Sequence, residues 1–265
     1  MLENPCLLNM VYTLQPILWF VAFYSYIRST IDSRSRSFRL YLAVHLASAA
    51  VLAPIALLML GAEGREAFWL DLLHSQIFWW GSIGASLFAL GTMRDILAQI
   101  LTTLVGLQRL VLLCLQWLLV VAFLVILNRV LANWGAVPYS GQLAVVAYGL
   151  YLTQAVVLLF VIPFTFMVRR SSRSRFQDVA LGLAVLAISH AILDWGCWKP
   201  KPISTAEIIA QSLVVLTTLV FWIFCFAGEE EAPEPRLLPL NSRLVRWSEK
   251  LRVLKRESVS AERNR

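Results

Sequence analysis

Long apolar runs alternate along this chain with short polar breaks that are often basic. A bilayer core about 30 Å thick takes roughly 20 helical residues. Seven runs reach or approach that length, at about 10–27, 40–60, 72–93, 108–127, 143–168, 179–195 and 206–227. Each run is continuous, whereas a membrane β-barrel would alternate in segments of about 10 residues. The pattern therefore predicts an all-α fold, a polytopic membrane bundle of seven transmembrane helices over residues 1–227. No Lys or Arg precedes Cys6 and no small-residue cleavage site follows, so the first run is expected to stay as a span.

Past the last run the pattern changes. Residues 228–239 carry Glu229, Glu230, Glu231 and three prolines, and read as a linker. In 240–265, Leu240, Leu244, Trp247, Leu251 and Leu254 recur at spacings of 4, 3, 4 and 3. That spacing is one apolar face of a helix. Arg243, Arg246, Lys250 and Lys255 lie around it. A basic amphipathic helix carrying Trp is expected to lie on anionic lipid, with docking of a protein partner as the alternative. Nucleic acid is not an expected partner.

Composition agrees. Hydrophobic residues make up 59% of the 265 and charged residues 15%, against about 45–50% and about 25% in soluble domains. Disordered chains, disulfide-stapled secreted domains and most soluble enzymes are thereby excluded.

Charge orients the chain. Of 23 Lys and Arg, 19 fall in the breaks after the first, third and fifth runs or in the tail. The other side holds Arg65, Arg129, Lys199 and Lys201. The positive-inside rule then places the N-terminus outside and the tail in the cytoplasm. The expected location is the cell inner (plasma) membrane, with the lipid bilayer as surroundings. Trp69, Trp134, Tyr139, Trp195 and Trp198 fall at the outer ends of the runs, where amphipathic rings favour the headgroup zone. In the third run Gly81, Ala85 and Ala89 recur every four residues, with Ser82 and Ser86 beside them. Small residues at this spacing let backbones approach closely in lipid, so the third helix is expected at the centre of the packing.

Ionisable groups inside a bilayer are costly, so their positions carry the candidate chemistry. Asp71 and His74 lie in the first outer turns of the third run. His190 and Asp194 share one helix face of the sixth, and Glu207 opens the seventh. These five could bind a zinc-like cation, relay a proton or hold a polar ligand. They could equally pair with one another and water, and fix the helix ends. His45, near the cytoplasmic end of the second run, is read as separate from them. Gln116, Gln154 and Gln211 are expected to hydrogen-bond between helices. Cys6 and Cys197 both fall on the outer side and form a disulfide candidate. No Walker loop, GxSxG elbow, CxxC pair or HExxH is present, so no catalytic residue is assigned.

The run Ile77-Phe78-Trp79-Trp80, then Met93-Arg94-Asp95-Ile96-Leu97 and Leu107-Gln108-Arg109-Leu110, resembles the layout of a group of uncharacterised bacterial seven-span proteins. Phe164 to Arg175, a basic turn into a Gly-containing span, fits the same layout. The resemblance supports the fold and implies no activity. Relatives often carry an acid shortly after the Trp pair, where this chain has Gly81 to Ala85. A retinal protein is excluded, because the last run lacks the Schiff-base lysine, and no cofactor is expected. The function expected is that of a non-enzymatic sensor-like or scaffold protein with an outer polar pocket. The alternatives are a small-solute or proton-coupled transporter and a metal-dependent intramembrane enzyme.

Overall fold

The computed structural model describes residues 5–29, 35–59, 61–101, 104–135, 139–168, 175–193 and 205–228. It is all-helical. The helices are α1 (Pro5–Arg28), α2 (Arg36–Met59), α3 (Gly64–Ile100), α4 (Val105–Ala132), α5 (Tyr139–Val168), α6 (Arg175–Leu193) and α7 (Thr205–Ala227). One helix corresponds to each apolar run. The largest difference is α3, which reaches well beyond 72–93 at both ends because neither flank holds a Pro or a polar break strong enough to stop it.

Five helices, α2, α4, α5, α6 and α7, are long and apolar enough to cross a membrane. Large apolar side chains stand outward on them, among them Phe123, Phe160 and Phe224. A soluble protein would not leave so much contiguous apolar surface uncovered. α3 is diluted by Gln76, Gly81, Ser82, Gly84 and Ser86, and these serve packing instead.

Six helices close a ring in the order α1, α2, α3, α5, α6, α7, with α7 returning to α1. α4 lies outside it against α5 and α3. The α2–α3 contact is antiparallel and close. A β-carbon on Gly81 would collide with Ser48, and one on Gly91 would crowd Ser37. Ser82, Ala85, Ser86 and Ala89 are buried, as expected of a central packing helix. Gln154 Nε2 of α5 donates to the Ser86 carbonyl of α3 at 3.3 Å, one of the three interhelical amide bonds expected from the sequence.

The basic end of the bundle, where α1 and α7 finish and α2 and α6 begin, is packed with rings. Tyr26 meets Phe38 edge-on at 5.0 Å and Phe226 at 5.4 Å, and Phe38 meets Trp222 at 5.2 Å. Ser35 precedes α2, and its Oγ accepts from the Phe38 N–H at 3.4 Å, as an N-cap does. Tyr26 Oη donates to the Ser35 carbonyl at 3.0 Å. Buried Arg175, opening α6, donates to the Gly228 carbonyl just past α7. That carbonyl end is the negative pole of α7, where a cation is favoured.

Candidate functional site

Among the described residues, α2 makes no close backbone contact with α5, α6 or α7. Side chains cross the centre of the ring instead. His45 of α2 lies face to face on Trp19 of α1, with centroids 4.4 Å apart and planes 7° from parallel. Tyr41, one turn earlier on α2, meets the same imidazole edge-on at 4.7 Å. On the opposite wall His190 of α6 stacks on Tyr151 of α5, at 4.3 Å and 7°. Gln211 of α7 hydrogen-bonds His190 Nδ1. With the Gln211 amide as donor, Nδ1 accepts and the imidazole proton sits on Nε2.

Tyr41 of α2 reaches across the ring to Trp222 of α7 at 6.1 Å. The imidazoles of His45 and His190 and the phenols of Tyr41 and Tyr151 thus lie on facing walls, flanked by Trp19 and Gln211. Both histidines are half-buried, while Tyr41 and Tyr151 are buried. One face of each imidazole is covered by its ring partner, and imidazole N–H and phenol O–H are the hydrogen-bonding groups these residues bring.

From His45 toward the basic end the rings form a continuous series. Tyr41 contacts Trp222 at 6.1 Å and Phe38 at 5.8 Å. Phe38 touches Phe226, the last aromatic residue of α7. The interior site is thus joined through packed rings to the root of the tail.

The five outer candidates are distributed differently. His190 faces Gln211 and Tyr151. Asp71 is exposed on α3 and within electrostatic reach of half-buried His74. Glu207 is half-buried in the first turn of α7, four residues before Gln211 and so on the same helix face. Asp194 and Cys197 lie outside the described residues, as do Arg243, Arg246, Trp247, Lys250 and Lys255. Cys6 sits in the first turn of α1, and its side chain is outside what is described. Among the described residues no three His, Cys, Asp or Glu converge as a metal site.

Sequence reasoning set His45 apart and did not single out Tyr41 or Tyr151. A depth count holds the missing signal. His45 is nine residues into α2 and His190 fifteen into α6, both counted from the basic end, or about 14 and 22 Å along helices rising 1.5 Å per residue. Their levels differ by less than two turns.

Comparison with family models, curated proteins and solved structures finds no match to this chain. The site is therefore read from its own geometry.

Proposed function

We propose that this protein is a sensor-like, non-enzymatic membrane protein whose ring interior takes up a small ligand and whose tail carries the response. Seven spans with the N-terminus outside and the tail in the cytoplasm, in the inner (plasma) membrane, fit the charge partition and the seven helices. The tail from Leu240 onward would then lie on anionic lipid or a partner protein.

The observation that carries this reading is that each interior histidine is stacked on an aromatic ring, His45 on Trp19 and His190 on Tyr151, on opposite walls of the ring. A ligand seated between them bears on α1, α2, α5, α6 and α7 at once. Differential contacts of this kind are what shift a bundle between two arrangements. The ring series from Tyr41 to Phe226 gives the shift a physical route to the tail root. A transporter would need a path to the basic end, and there Trp222, Phe38, Tyr26 and Phe226 are packed instead.

The test uses full-length protein in nanodiscs, free of native cysteines, with a bimane fluorophore on a cysteine replacing Glu229. Diethyl pyrocarbonate, which acylates neutral imidazole, is the probe. Modification of His190 or His45, located by mass spectrometry, is expected to change bimane emission. The change should vanish in the His45→Phe/His190→Phe double variant, while His74 still reacts. Resistance of both interior histidines in folded protein, or modification without an emission change, would overturn the reading.

A further inference from the structure

α4 stands apart from the ring and, among the described residues, is in contact only with α5 and α3. Its inward face is Leu115, with Leu112, Leu119, Ala122 and Ile126 beside it. Val111 and Leu118 are half-buried as well, most of the other side chains are exposed, and one of those does not belong in lipid. Gln116 is exposed, eleven residues into a 28-residue helix. At 1.5 Å per residue it lies about 16 Å from the helix start, inside a hydrocarbon core about 30 Å thick. Among the described residues it has no hydrogen-bond partner. An amide left unpaired in hydrocarbon costs several kcal/mol, so this position calls for a partner within the membrane.

The exposed residues around Gln116 state what that partner is. Leu113, Gln116, Val120, Phe123 and Leu127 follow one another at 3, 4, 3 and 4, and all five are exposed. This is the heptad seam of a left-handed helix pair. Within it Gln116 holds a core position, where one polar residue fixes register between like helices. An amide carries both donor and acceptor, so it is complementary to itself. A two-fold axis sets the same residue against its own copy. Copies in one membrane share an orientation, so the pair is parallel and Gln116 comes level with Gln116.

We infer that α4 is the interface with a second copy of this chain, paired through Leu113, Gln116, Val120, Phe123 and Leu127, with the two Gln116 amides hydrogen-bonded across the two-fold axis. Cys114 is exposed on the opposite side of α4 from this seam. It therefore serves as an internal control.

The experiment is self-association of full-length protein in liposomes, read by fluorescence energy transfer as lipid dilutes the protein. Wild type is expected to transfer as a dimer. Gln116→Leu is expected to associate roughly 5- to 30-fold more weakly, the range one membrane amide pair supplies. Gln116→Asn, which keeps an amide, should recover part of the loss. Gln116 is exposed and makes no hydrogen bond among the described residues, so Gln116→Leu should keep the wild-type circular dichroism and melting curve. In a Cys114→Ala background, Val120→Cys should cross-link under mild oxidant. Native Cys114, with valine kept at 120, should not. Monomeric wild type at all dilutions, Gln116→Leu associating as tightly as wild type, or cross-linking through Cys114 in preference to position 120 would each overturn the inference.

Discussion

Gly182 of α6 leaves open the space that the Trp222 indole of α7 fills, and Trp222 Nε1 donates at 3.3 Å to the carbonyl of Asp178, one turn earlier on the same helix. Trp222 is fully buried. α6 thus supplies both the slot for the ring and the acceptor for its N–H.

A methyl group at 182 would drive into that indole. Gly182→Ala is expected to destabilise the bundle by about 1–3 kcal/mol, the usual cost of overfilling a packed core. Combined with Trp222→Phe, the loss should be less than additive, because the smaller ring returns the space. Equilibrium unfolding in mixed detergent micelles measures both. Strict additivity would show that the two residues do not share this contact.

Arg175 offers a second point of attack. Its guanidinium is buried and donates to the Gly228 carbonyl, fastening the start of α6 to the end of α7. Arg175→Met keeps much of the apolar stem and removes the donors. It should cost about 1.5–3 kcal/mol, the range of a hydrogen bond to a charged group. Proteolysis just past Gly228 should quicken by more than it does elsewhere in the chain. Unchanged cleavage at the tail root would contradict the anchoring role.

Orientation yields a third outcome. In protein free of native cysteines, Glu63→Cys in the exposed α2–α3 turn should react with an impermeant maleimide in intact spheroplasts. Ser172→Cys should react only after lysis. Ser35 is a poor site for this test although it lies beside the basic α1–α2 loop, because it is buried as the cap of α2. The reverse pattern of labelling would invert the proposed topology.

The helices were legible because each apolar run is long and its breaks are charged. Gly81, Ala85 and Ala89 also announced α3 as the packing helix, since small residues in lipid have few other uses. The interior site was less legible. His190 was grouped with Asp71 and His74 because a linear reading ranks groups by distance from the nearest helix end. The ring instead brings residues together across its centre, and which faces turn inward depends on the order of helices around it. That order sets α6 beside α5 and α7, and so gives His190 the faces of Tyr151 and Gln211. Gln154 and Gln211 do bond between helices, whereas Gln116 lies on the outward side of α4, a face that helix length and composition do not distinguish from the inward one.

The closing of the ring between α1 and α7 bears on how the protein is made. Tyr26 rests against Phe226, so α1 meets its second ring neighbour only once α7 has been made. At about 5–20 residues per second this wait is roughly 10–40 s. Through that interval one flank of α1 is without the neighbour that it has in the finished ring. The residues past Gly228 follow α7 in the chain, so they leave the ribosome after the helix that closes the ring. A chain that stalls before α7 would expose the unmet flanks of α1 and α6 together, a ready signal for quality-control proteases.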